Sequence, residues 1–243
     1  MAKVRNARGL SPDVAGPRHR TLAETAAAEL HQMIMSGELP PGSPLRLVEL
    51  AEQLGMSNMP VREGLRRLEA LGMVEIIPHK GAWVRELSEE DLLDTHQTRL
   101  ALETLAVRMA AERFTAADAE AAVAALDEHA RLSQSGQEVA ARRAHTEFHF
   151  AIYRGSGSVW LPRAIEPVWE NYERYRFAGS LTPARLEQMR CEHQAILDAC
   201  VAHDVAEAEA ALCRHLEGAM ERITRTMKDR MKASEKLRGE ARS

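Results

Sequence analysis

A chain of 243 residues that is 45% hydrophobic and 28% charged has room for two domains, and with only 4% aromatic residues their cores must be aliphatic. No run approaches the roughly 18 apolar residues of a membrane span, and no apolar stretch follows the N-terminal cations. These features exclude a helical membrane protein and predict a cytoplasmic one. The net charge of −4 is uneven: residues 1–86 hold 11 Lys and Arg against 10 Asp and Glu, while residues 87–243 hold 21 against 26. Any positive surface in the first part must therefore come from local placement of cations. The three cysteines, Cys191, Cys200 and Cys213, lack metal-finger spacing and are expected to be reduced and mostly buried.

Residues 1–20 carry Gly9, Pro12, Gly16 and Pro17 without apolar periodicity and are expected to form a disordered tail. Leu22, Ala26, Leu30 and Ile34 then form the stripe of a first helix, which stops before Leu39-Pro40-Pro41-Gly42. A second amphipathic helix spans Leu47 to Leu54, and Gly55-Met56 supplies a short turn. The third helix opens at Ser57, whose hydroxyl is expected to cap it, with Pro60 inside the first turn, where its missing N–H costs little. Val61, Leu65, Leu68 and Leu71 recur at helical spacing and are expected to be buried. Asn58, Met59, Arg62, Arg66 and Arg67 are left at the helix start and outer side. Such a helix suits a DNA major groove. After Gly72, residues 74–77 and 82–85 read as strands around Pro78-His79-Lys80-Gly81, a turn with a cation and a glycine at its tip. Helix, helix, helix and hairpin make residues 21–86 a winged helix-turn-helix. Its candidate DNA contacts are Ser57, Asn58, Met59, Arg62, Arg66, His79, Lys80 and Gly81.

Residues 87–231 read as about six amphipathic helices, at 88–113, 116–133, 137–154, 158–178, 183–202 and 204–230, with helix-start signals at Ser88 and Thr115. The fold class is mainly α, a winged helix-turn-helix followed by an antiparallel all-α bundle. Residues 232–243 form a basic tail, either a fraying helix end or a disordered arm. Gly179 and Pro183 are expected to interrupt the bundle between its fourth and fifth helices.

Four of the ten histidines fall on apolar stripes. His145 and His149 are four apart with Phe148 and Ile152, His193 lies with Met189 and Ile196, and His215 lies with Leu212 and Ile223. Buried imidazoles need partners, and a divalent cation would satisfy all four at once, with zinc the first expectation and nickel or another ion as alternatives. His19, His31, His79, His129 and His203 sit in polar or terminal contexts and are given no metal role. Arg99 and Glu103, four residues apart, are either a surface ion pair or a buried pair whose arginine fork receives a carboxylate ligand.

These residues resemble a known family. Pro40-Pro41-Gly42, Leu50-Ala51-x-x-Leu54-Gly55-Met56-Ser57 and Pro60-Val61-Arg62-Glu63-Gly64-Leu65-Arg66-Arg67-Leu68 are similar to the DNA-binding domain of GntR-type regulators. Arg99-x-x-x-Glu103, Phe148-His149, Glu192-His193-x-x-Ile196-Leu197-Asp198-Ala199, and Ala211 with His215-Leu216 resemble the FadR-type FCD ligand-sensing domain. The resemblance implies a homodimeric transcription factor on a pseudo-palindromic double-stranded operator. It implies metal ligands at positions 145, 149, 193 and 215, and a small organic acid effector near Arg99. Position 145 is His where the resemblance implies Asp or Asn; Val48 and Asn58 replace cations, and Met59 replaces Thr. Two rivals stay open: a DNA-tethered mononuclear metalloenzyme, and a metal-free sensor of a long acyl ligand.

Overall fold

The computed structural model describes residues 20–176 and 182–240, the last eleven as backbone only. The N-terminal tail expectation and Gly179 lie outside the described residues, apart from Arg20. The first part folds as α1 (Leu22–Ser36), β1 (Pro44–Leu45), α2 (Leu47–Gln53), α3 (Asn58–Ala70), β2 (Val74–Ile77) and β3 (Gly81–Val84). The three strands form an antiparallel sheet in the order β1-β3-β2, with Glu75 opposite Trp83 and Leu45 opposite Ala82. β1 was not foreseen, because two residues beginning with proline carry no alternation to read.

The core of this head is aliphatic: Ala26, Leu30 and Ile34 of α1 meet Val61, Leu65 and Leu68 of α3, and Val74 and Val84 of the hairpin close it. Leu22 departs from its expected place on the stripe and is 65% exposed. It sits at the first helical position of α1. Thr21 caps α1 reciprocally with Glu24. Ser57 holds the capping position of α3 with extended backbone angles, yet its hydroxyl makes no capping bond, contrary to expectation. Gly64 explains how closely α1 and α3 approach: a Cβ there would lie 2.9 Å from the backbone nitrogen of Ala27.

Among the described residues the second part forms six helices: α4 (Glu89–Ala111), α5 (Ala116–Gln134), α6 (Glu138–Gly155), α7 (Trp160–Arg176), α8 (Pro183–Val201) and α9 (Val205–Glu240). Ser88 and Thr115 cap α4 and α5 through their hydroxyls, as their sequence signals predict. α4 runs against α6, α7, α8 and α9, so its side chains reach the centre of the bundle. The helical backbone of α9 continues to Glu240, so the basic tail is a helix end up to that residue. Of the cysteines only Cys200 is buried, which pushes its thiol up to about 12; Cys191 is exposed and Cys213 intermediate.

α7 joins the two parts. Arg174 donates to the carbonyls of Arg85 and, at 3.4 Å, Gly72. Glu170 meets His31 of α1 at 2.6 Å. Asn171 and Tyr175 both donate to Asp91 Oδ2, at 2.9 and 2.6 Å, and Asp91 also holds Arg85 at 2.9 Å.

Candidate functional site

The candidates for DNA contact are all exposed. Ser57, Asn58, Met59, Arg62 and Arg66 are exposed on α3, and His79, Lys80 and Gly81 are exposed at the hairpin tip. His79 adopts a left-handed conformation (φ 63°) in the turn between β2 and β3. The cations of α3 are not equivalent. Arg66 is drawn to Glu63 at 3.2 Å and Arg67 to Glu24 at 3.3 Å. Among the described residues no carboxylate reaches Arg62, whose fork is free to meet a base edge.

In the bundle, His145, His149, His193 and His215 converge. One ring nitrogen from each lies within 4.8 Å of those of the others, and all four side chains are buried. The surrounding hydrogen bonds set their tautomers. Tyr153 donates to Glu103 Oε2 at 2.5 Å, so its oxygen accepts from His149 Nδ1–H at 3.3 Å and the lone pair of His149 is on Nε2. His193 Nε2 faces that lone pair at 3.2 Å. His215 Nδ1–H donates to Glu192 Oε2 at 2.9 Å, which likewise leaves its Nε2 lone pair free. Arg176 Nη1 donates to His145 Nδ1 at 3.0 Å. His145 Nε2 and His193 Nδ1 are buried without a partner.

Burial pushes all four imidazoles below their ordinary range, with Arg176 adding to it at each; neighbouring imidazoles add further at His145, His149 and His193, and Glu192 opposes the shift at His215 without cancelling it, so all four are neutral near pH 7. Burial alone would raise Glu192, but bonds from His215 and Arg185 bring it down to about 2. Since His215 is itself neutral, its contact with Glu192 is a hydrogen bond rather than an ion pair. His149 and His215, oriented by a phenol and a carboxylate, turn Nε2 lone pairs to the centre, and His145 would complete a donor set for a divalent cation by giving up the bond its Nδ1 accepts from Arg176, which otherwise keeps the proton on its Nε2.

Beside the cluster lies a cavity of about 260 Å³, onto which His145, His215 and Arg99 open. Arg99 is 3% exposed and Glu103 wholly buried, so the pair is internal rather than on the surface. Glu103 takes the arginine's Nε at 2.6 Å and Nη2 at 3.2 Å. The guanidinium lies between Trp169 and Tyr172, its carbon 4.7 and 4.1 Å from their ring centres. Glu103 does not line the cavity. Proposed from sequence as a ligand contact, it instead holds Arg99 from behind, because α4 turns its carboxylate towards Tyr153.

Two features were missed. His129, assigned to a polar context, is 7% exposed, and its ring centre lies 5.6 Å from that of His145. Asp127 and Glu128 disguised it, but Ala122, Ala125, Leu126, His129 and Leu132 fall on one buried helical stripe. The arginines around the cavity, Arg176 and Arg185 among them, were also unread, because each sits in an ordinary polar run.

Residues 22–84 match the gntR family of bacterial regulatory proteins, and residues 94–218 match the FCD domain. The chain is 34% identical over 202 residues to a probable D-xylose utilization operon transcriptional repressor of Paenarthrobacter nicotinovorans, covering 81% of this chain and 88% of that protein. It is 30% identical over 208 residues to the transcriptional regulator LutR of Bacillus subtilis, covering 76% and 93%. The solved structure of E. coli McbR/YncC superposes with a TM-score of 0.74 at 26% identity, over 86% of this chain and all of that one. These proteins are regulators rather than enzymes, which removes the metalloenzyme alternative. The chain is a DNA-binding transcriptional regulator and belongs to the GntR family, with a winged helix-turn-helix followed by an FCD domain.

Proposed function

We propose that this regulator binds a divalent metal ion through His145, His149, His193 and His215, and that a small organic acid in the adjoining cavity controls how a homodimer holds a pseudo-palindromic operator. The observation that carries the reading is four buried imidazoles converging at the wall of a cavity that also exposes Arg99. When bound, the ion supplies a Lewis-acidic centre to which a carboxylate can coordinate. Tyr153 and Glu192 orient their histidines, and Glu103 fixes the guanidinium of Arg99 so that its remaining donors and its charge face the cavity.

α7 supplies the route from ligand to DNA. Trp169, Tyr172, Glu173 and Arg176 line the cavity, while Glu170 and Arg174, within the same two turns, hold the head. A ligand that binds one position of α7 better than another shifts the head by that difference in affinity. The cavity is smaller than the roughly 300–1,000 Å³ of drug-sized sites and its wall is charged, which argues against a long acyl chain.

Elemental analysis of the purified full chain tests the metal assignment. About one equivalent of zinc, nickel or a similar ion is expected, and it should be lost in a His149→Ala/His193→Ala variant. Equal metal content in the two proteins would overturn it.

A further inference from the structure

The four imidazoles are not equally ready for a cation. His149 and His215 each donate from Nδ1 and keep a lone pair on Nε2. His193 donates from Nε2 to His149, and its Nδ1 has no partner among the described residues, so nothing there opposes a change in which nitrogen carries the proton. His145 is held differently. A guanidinium has donors only, so Arg176 Nη1 at 3.0 Å fixes the lone pair of His145 on Nδ1 and its proton on Nε2. That Nε2–H is buried and meets no acceptor among the described residues.

Coordination by His145 through either nitrogen conflicts with Arg176. Through Nδ1, an ion would need the lone pair that Arg176 occupies. Through Nε2, the ring proton would have to move to Nδ1, where it would face an N–H of Arg176. The two partners of His145 therefore exclude each other. Displacing Arg176 costs a charge-assisted hydrogen bond, and a guanidinium left in place would repel a dication. The arginine has an alternative anchor. Glu173, one turn earlier on α7, holds the same Nη1 at 2.5 Å, and both residues line the cavity. The guanidinium can leave His145 and turn into the cavity with this ion pair intact.

We propose that Arg176 is a latch shared between the histidine cluster and the cavity: it lowers metal affinity by holding His145, and metal uptake moves its fork to the cavity, with Glu173 as the pivot. The inference rests on the reading of the cluster as a metal site. It also ties that site to the head, because Arg174, two residues before the latch, donates to the carbonyls of Arg85 and Gly72.

Zinc is titrated into the full chain against a chromophoric chelator, for the unmodified protein, Arg176→Met, His145→Phe and the double variant, each checked for its fold by circular dichroism. Arg176→Met should bind zinc about tenfold or more tighter than the unmodified chain. Relief of charge repulsion is common to both backgrounds and cancels in the cycle, so the gain should be about tenfold larger with His145 present than with Phe in its place. Equal gains in the two backgrounds would overturn the latch, and so would weaker zinc binding by Arg176→Met. A second reading uses the unmodified chain. In nitrogen-15 NMR spectra, the Arg176 Nε–H signal and the His145 ring nitrogens, assigned by their loss in the single variants, should both shift when zinc is added; either one unmoved would overturn the proposal. Zinc taken up equally by the unmodified chain and Arg176→Met removes the latch and leaves the metal site standing. Zinc taken up by none of the four proteins removes both.

Discussion

The head and the bundle handle charge in opposite ways. All thirteen buried polar or charged side chains among the described residues, from Thr95 to His215, lie in the bundle, and none lies in the head. The head buries aliphatic groups only and leaves its cations outside. A duplex is larger than the domain that reads it, so it is met by side chains projecting from an apolar platform. A small ligand must be surrounded, so the groups that recognise it are carried into the core and must be partnered there, by Glu103 on Arg99 or by Tyr153 on His149.

The largest expected effect breaks the buried side of this contrast. Glu103→Ala leaves the Arg99 charge without its acid in the core and should cost about 3–5 kcal/mol of stability, read as a lower urea midpoint. A midpoint near that of the unmodified chain would mean that the pair is hydrated. On the exposed side, Arg62→Ala should weaken operator binding by about 1–3 kcal/mol, measured by fluorescence anisotropy at fixed salt. Its stability should stay within about 0.5 kcal/mol, because Arg62 is exposed and touches no acid. Unchanged operator affinity would remove α3 as the reading helix.

Acid should act on the bundle and spare the head. His129 has its pKa lowered from 6.5 to about 4 by burial first and by Arg176, and the four clustered imidazoles shift in the same direction. The unfolded chain therefore takes up protons before the folded one does. Stability is full above pH 6.5, falls as pH drops towards 4, and levels off below the folded values. Urea midpoints at pH 7.5, 6 and 5 should decline in that order, and a flat profile would contradict neutral buried imidazoles. The smallest effect is at the hairpin tip. Lys80→Ala should weaken binding to all duplexes alike and reduce the salt dependence by about one charge.

Several details mark the limit of reading by pattern. The ends of α4 to α8 fall within about two residues of the expected boundaries, because capping hydroxyls and glycines are local devices. Ser57 occupies the right position without making its bond, since the choice between cap and solvent depends on a rotamer that sequence does not record. Arg99 could not be settled from its four-residue spacing to Glu103, which is the same on a surface and in a core. Trp169 and Tyr172, which sandwich Arg99, come from a helix some seventy residues away.

The amino-acid order alone determined which segments are helical, where α4 to α8 start and stop, which face of α3 is left exposed, and that four histidines point inward. Each of these is decided within a few turns of chain. Only the packed structure decided that the four rings meet, that His129 lies beside them, that Glu103 backs Arg99 rather than lining the cavity, and that arginines from five helices gather around one cavity. Those are distances between helices, and helical periodicity gives the direction of a side chain without saying what it will face.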